Sequence, residues 1–173
     1  MEKDDLIEKI IKKFNMVSLE NEGGYFVETH RSEESIPEEH LPPRYKSARS
    51  FSTTILYLLT PDNFSSLHKV ASDEIFHFYM GDQVIMLNLS EDGRGQTIKM
   101  GSNIFEGEQI QYLVPRNTWQ GAKLAEGGKF ALLGTTVSPG FEFEDFTQAK
   151  TSKNEILNKY PDFASIINEL IKI

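Results

Sequence analysis

The chain contains no cysteine in its 173 residues. Disulfides, thiolate metal sites and a cysteine nucleophile are therefore excluded. Positive charge is scarce: 18 lysines and arginines stand against 26 acidic residues, giving a net charge of −8. That deficit opposes nonspecific binding to nucleic acid or to an anionic membrane. No apolar run reaches the ~18 residues that a membrane-spanning helix needs. The opening MEKDDLIEKIIKKF is charged and helix-periodic. It lacks the basic-then-apolar layout of a secretory signal, so cytoplasmic location is the default expectation. With these classes set aside, the length suits one domain, residues 1–173, around one core.

One stretch runs against the charge balance. In PPRYKSARS, Arg44, Lys46 and Arg49 cluster with no acidic residue between them. It reads either as a solvated loop or as an anion-attracting rim for a phosphorylated or carboxylated small molecule.

The periodicity predicts a helix over 4–14, with Asp4 and Asp5 suiting its N-terminus and Leu6, Ile10, Ile11 and Phe14 forming an apolar stripe. Glu22-Gly23-Gly24 marks a turn. From Tyr25 to Phe146 the texture is β-rich. Candidate strands are 25–30, 50–59, 65–70, 74–80, 83–89, 96–100, 109–114, 118–124 and 129–138. Glu91-Asp92-Gly93-Arg94-Gly95 reads as a hairpin loop, since glycine supplies positive φ. Short strands at regular spacing favour an antiparallel sandwich or barrel. Helical pattern returns over about 151–173. Ser152 and Glu155 form a candidate capping box for 153–159, and Phe163, Ile166, Ile167 and Leu170 lie at helical spacing after Pro161. The longest structureless stretch, 32–49, suits a lid or a partner-contact arm.

Chemistry concentrates in H-K-V-A-S-D-E-I-F-H-F-Y-M-G, His68 to Gly81. Alternation puts His68 and Val70 on one strand face, and Glu74, Phe76, Phe78 and Met80 on one face of the next. If Glu74 points into a barrel with His68, His77 points away, unless a bulge at the turn reverses it. His30 and His40 read as surface positions, and Glu28 with Arg31 as a structural pair.

These residues resemble the first motif of the cupin superfamily, G-x5-H-x-H-x3,4-E-x6-G. His68, Glu74 and Gly81 match the first histidine, the glutamate and the closing glycine, and Val70 replaces the second histidine. The second motif, G-x5-P-x-G-x2-H-x3-N, is similar to Pro115-Arg116-Asn117-Thr118-Trp119-Gln120. There Asn117 stands at the glycine and Gln120 at the histidine. The blocks E-G-G-Y-F, S-T-T-I-L-Y-L-L, S-D-E-I-F-H-F-Y-M-G-D, V-P-R-N-T-W-Q and T-V-S-P-G-F-E-F-E-D-F narrow the resemblance. They are similar to a group of small single-domain cupins of unknown function, structurally akin to deoxysugar epimerases of the rhamnose pathway. The resemblance implies a mainly β fold, a double-stranded β-helix or jelly roll with an N-terminal helix and C-terminal helices, β-core about 25–146. It also implies a homodimer with a small-molecule ligand in the barrel.

A complete cupin site offers three imidazoles and a carboxylate to Fe, Mn, Ni or Zn. Here His68 and Glu74 remain, Gln120 adds a neutral oxygen, and His77 contributes only if turned inward. A divalent metal is one expectation. The other is a His68–Glu74 dyad without metal, the carboxylate fixing the tautomer of an imidazole base, as in an isomerase or epimerase. Candidate substrate contacts or acids are Gln120, Trp119, Tyr57, Tyr112 and Lys123. A non-catalytic metabolite-binding module is the third reading.

Overall fold

The computed structural model describes residues 3–171. Residue 172, at the end of the expected last helix, lies outside the described residues, as do the domain ends at 1, 2 and 173 and the side chains of Asp4 and Asp5. The helices are α1 (Lys3–Phe14), α2 (Lys153–Lys159) and α3 (Ala164–Glu169). The first strands are β1 (Val17–Ser18), β2 (Tyr25–Arg31), β3 (Ser35–Ile36), β4 (Arg49–Ser50), β5 (Thr53–Leu59) and β6 (Ser65–Val70). Next come β7 (Asp73–Gly81), β8 (Val84–Leu89), β9 (Gly95–Met100), β10 (Gln111–Val114), β11 (Trp119–Leu124), β12 (Ala131–Ser138) and β13 (Phe146–Gln148).

The strands form a six-stranded sheet, β1-β2-β5-β12-β7-β10, and a five-stranded sheet, β13-β6-β11-β8-β9. All their pairings are antiparallel. The two inner faces bury Tyr57, Leu59, Phe76, Phe78, Met86, Met100 and Leu133 in one cluster. Each such aliphatic or aromatic side chain contributes about 1.5–3 kcal/mol of transfer free energy. This is the jelly roll that the sequence implied.

Helices cover the outer faces. Ile10 of α1 packs with Met16 against Leu58 and Leu132 on the six-stranded sheet. Phe14, expected in the same stripe, stays 37% exposed at the last turn. Ile156, Ile167 and Leu170 pack against Leu67, Leu87 and Leu89 on the outer face of the five-stranded sheet. Ser152 stands at the N-cap of α2, but its side chain makes no capping bond. A 3₁₀ turn, Ala149–Ser152, runs straight into the helix, so Ser152 lacks the extended backbone a capping side chain needs.

Two glycines of the motif region have steric reasons. Gly81 has φ +109°, and a Cβ there would lie 2.3 Å from the Phe130 carbonyl. Gly24 (φ +73°) lies under the Tyr57 ring, with 2.8 Å to the nearest ring atom from any added Cβ. Asn117 takes the left-handed conformation, φ +60°, that its place at the motif glycine implied.

The stretch 32–49 is not a loose lid. Tyr45 is buried, and its hydroxyl bonds Ser72 Oγ at 2.8 Å. Arg44 Nε donates to the Ala71 carbonyl (2.9 Å), and Lys46 Nζ donates to the Pro43 carbonyl. Arg49 is fully buried and donates to both Asp145 carboxylate oxygens (2.9 and 2.7 Å) and to Glu144 (2.6 Å). The basic cluster is therefore no anion-attracting rim. Its arginines are committed to backbone carbonyls, a tyrosine and carboxylates that sequence distance had hidden.

Candidate functional site

β6 and β7 bring His68 and Glu74 into the space between the sheets. Alternation buries Glu74, Phe76 and Phe78 and leaves Ile75 and His77 on the other face of β7. His77 lies outside the barrel, its ring nitrogens near Thr136 Oγ1 and Gln111 Nε2. The β7 bulge falls opposite Leu132/Leu133, beyond His77, so it does not turn this ring inward.

His68 is 2% exposed and stacks on Phe146 with ring centroids 4.8 Å apart. Its Nδ1 lies 2.7 Å from the Ser66 carbonyl. A carbonyl only accepts, so Nδ1 carries the proton and Nε2 is the nitrogen left for chemistry. This corrects the expected dyad: the backbone of Ser66, not Glu74, fixes the tautomer. Glu74 instead accepts a hydrogen bond from Gln120 Nε2 (2.6 Å). Burial pushes the Glu74 carboxyl above the usual carboxylate range. His68 pulls it down, Glu22 pushes it up, and contacts with Gln120 and Thr135 pull it down, but burial prevails.

His68, Val70 and Glu74 line a cavity of about 170 Å³ with Glu22, Phe146 and Thr135. A cavity of about 150 Å³ accepts benzene, so the ligand it can hold is one small ring or a short chain. Toward its rim, Arg31 donates to Glu28 (3.0 and 2.9 Å) and to Glu142 (2.6 Å). The lining thus carries four carboxylates, from Glu22, Glu28, Glu74 and Glu142, against one guanidinium and one imidazole.

The other expected contacts separate. Gln120 faces inward beside Glu74, but its Oε1 is buried with no partner. Tyr57 is buried, and its hydroxyl donates to the Gly23 carbonyl at 2.8 Å. Burial and Glu22 push that phenol well above its ordinary value, so it is a structural donor and not a poised acid. Trp119 points to the outer face, as the neighbour of inward Gln120 must, and packs beside Lys69 and the C-terminal helices. Lys123 also faces outward, paired with Glu169. Tyr112 faces inward at a different cavity, with its hydroxyl accepting from Gln96 (2.7 Å). Sequence reasoning missed Glu22, read only as a turn residue, although the E-G-G-Y-F block contains it. Glu22 accepts from Ser65 Oγ at 2.7 Å.

The donor set does not fit the metal centre that the fold implies. Val70 is a buried apolar wall at one ligand position, and Gln120, with a weak neutral amide in place of an imidazole, spends its NH₂ on Glu74. Among the described residues no group of three or more His, Cys, Asp or Glu side chains is placed to hold a metal ion.

The inward His–Glu pair, on consecutive strands that lie in opposite sheets of a jelly roll, defines a cupin fold. Residues 8–149 match the cupin superfamily family DUF985, and the chain belongs to that family. An uncharacterized protein of Saccharomyces cerevisiae, YML079W, is 31% identical over 83% of this chain and 75% of its own length. The crystal structure of protein SO0799 from Shewanella oneidensis superposes with a TM-score of 0.81 at 27% identity, covering 95% of this chain and 96% of that one. A hypothetical protein from Leishmania major gives 0.80 at 27% identity, covering 96% and 98%.

Proposed function

We propose that the whole chain acts as one small-molecule-binding cupin unit and that His68 is a general base toward a small, uncharged carbonyl compound, as in an isomerase or epimerase. The observation that carries this is the tautomer. The Ser66 carbonyl holds Nδ1–H at 2.7 Å, which leaves the Nε2 lone pair as the proton acceptor of a buried imidazole that lines the cavity. Glu74 interacts electrostatically with His68 across the cavity, and its carboxylate form offsets the charge that His68 gains. Four carboxylates around the cavity favour a neutral substrate over the anionic one that the basic cluster had suggested.

The test is solvent-deuterium exchange at the carbon next to the carbonyl, followed by NMR over a panel of small aldoses, ketoses and keto compounds. His68→Gln should slow exchange by about 10²–10⁴-fold while the melting temperature stays near that of the parent. Exchange at the parent rate in the His68→Gln protein removes His68 as the base. Exchange by neither protein across the panel favours the binding-module reading.

A further inference from the structure

The His68 cavity grades from dry to wet. His68 and Glu74 at its floor are 2 and 8% exposed, whereas the side chains of Arg31, Glu28 and Glu142 are 38, 39 and 42% exposed. These three, with the exposed ring of Phe143, form its mouth. Glu28 and Arg31 stand near the end of β2, and Glu142 comes 111 residues further along the chain. The Arg31 side chain spans the two. Its Nε and Nη2 donate to Glu28, its Nη1 donates to Glu142 at 2.6 Å, and Nη2 also reaches the Phe141 carbonyl at 3.2 Å.

The backbone on either side of this contact is tied down. Gly140 N–H donates to the Ser50 carbonyl, and Phe141 N–H donates to Thr53 Oγ1. A Cβ on Gly140 would lie 2.2 Å from Ser50 Oγ, so the chain is seated closely there. Past Glu142, a 3₁₀ turn, Phe143–Asp145, is closed by Asp145 N–H on the Glu142 carbonyl, and the buried Arg49–Asp145 pair pins its end. Across the mouth, Arg31 is paired in the sheet with Thr53 of β5. With the main chain held on both sides, long side chains are what can move. The pair that joins them is half in water, where the attraction is weak enough to be broken and remade.

We propose that the Arg31–Glu142 pair is a side-chain gate across the mouth of the His68 cavity. Paired, it shuts the floor off from solvent; parted, it admits a small molecule. Glu28 defines the parted state, since its two bonds (3.0 and 2.9 Å) keep Arg31 on the β2 side while Glu142 turns into water. Salt is a lever on the gate, because screening favours the parted form. Access is separate from chemistry, so the gate stands whether or not His68 acts as a base.

The probe is diethyl pyrocarbonate, which transfers an ethoxycarbonyl group to an unprotonated imidazole nitrogen and releases ethanol and carbon dioxide. At about pH 8 the imidazoles are unprotonated. Site-resolved mass spectrometry follows His68 and, as a ruler in the same molecule, the exposed His40. At about 0.1 M salt His68 of the parent should react far more slowly than His40. Arg31→Ala and Glu142→Ala should each raise the His68 rate, relative to His40, by about 2- to 5-fold. Raising salt to about 1 M should speed His68 in the parent but not in Arg31→Ala. That contrast separates the gate from a general loosening of the fold, which salt would affect alike in both proteins. Equal His68 rates in the parent and both variants overturn the proposal. So does a salt response that survives in Arg31→Ala, or a His68 that stays unmodified there when His40 has reacted fully.

Discussion

Arg31 and Arg49 are the same residue in nearly the same arrangement, each held between two carboxylates. Arg31 bridges Glu28 and Glu142, and Arg49 bridges Glu144 and Asp145. Both tie the segment 142–145 to the rest of the barrel. They differ in burial: the Arg49 side chain is 0% exposed and Asp145 2%, whereas Arg31, Glu28 and Glu142 are 38, 39 and 42% exposed. Arg49 also donates to the Ser47 and Ala48 carbonyls, so its fork is fully occupied. A charge buried with every donor used is architecture. A charge half in water, at the rim of a cavity, is free to exchange partners. The barrel interior adds a third case, Glu74, a carboxylate buried with an amide but no guanidinium.

The largest effect expected from this contrast is at Asp145. Asp145→Ala strands the Arg49 guanidinium where water cannot reach it, and breaking a buried pair in that way costs about 3–5 kcal/mol. Urea denaturation of the parent and the variant measures it. A loss below about 1 kcal/mol would mean that Glu144 alone can hold Arg49, and the distinction between the two arginines would collapse.

The sequence displayed some of this and hid the rest for a physical reason. Strand positions were legible because period-two burial leaves its mark on each segment by itself: Glu74, Phe76 and Phe78 inward, His77 outward. The same rule put His68 on the face of Val70, and the motif resemblance set Gln120 at a ligand position, but the outward direction of Trp119 and Lys123, which alternation then dictates, went unread. Hidden were the partners supplied by distant chain. Asp145 lies 96 residues from Arg49, and nothing local marks the pair, so PPRYKSARS looked basic and free. The orienting group of His68 was hidden differently, since it is the Ser66 carbonyl and backbone carries no sequence signal.

The intermediate effect belongs to Glu74, and its sign opposes that of Asp145. Burial raises the Glu74 carboxyl above its unfolded value, so the native state binds more protons than the unfolded chain between those two values. Stability must then fall as pH rises from the ordinary carboxylate range through the raised value, with the full penalty above it. Glu74→Gln removes the penalty and keeps an oxygen that can accept from Gln120 Nε2. Its melting temperature should exceed that of the parent at pH 8, and the two should converge in acid. A parent that melts higher than Glu74→Gln at pH 8 would show that His68 compensates the buried carboxylate as Arg49 compensates Asp145.

The smallest effect is at Arg31, and its smallness is informative. Arg31→Ala removes two ion pairs, one with a donor–acceptor distance of 2.6 Å, so by geometry alone it should rival the loss of Asp145. Solvent decides otherwise. At more than a third exposure the pairs gain little Coulomb energy, and surface pairs contribute about 0–1 kcal/mol. Even that should shrink with salt, because the screening length falls from about 10 Å at 0.1 M to about 3 Å at 1 M. Denaturation of Arg31→Ala and the parent at both ionic strengths gives the measurement, the expected difference being at most about 1 kcal/mol and smaller at high salt. A loss of about 3 kcal/mol that salt does not reduce would place Arg31 with Arg49 as a buried strut. It would also make the rim of the His68 cavity a fixed wall, because Glu28 and Glu142 would then be locked to Arg31 and unable to part for an entering ligand.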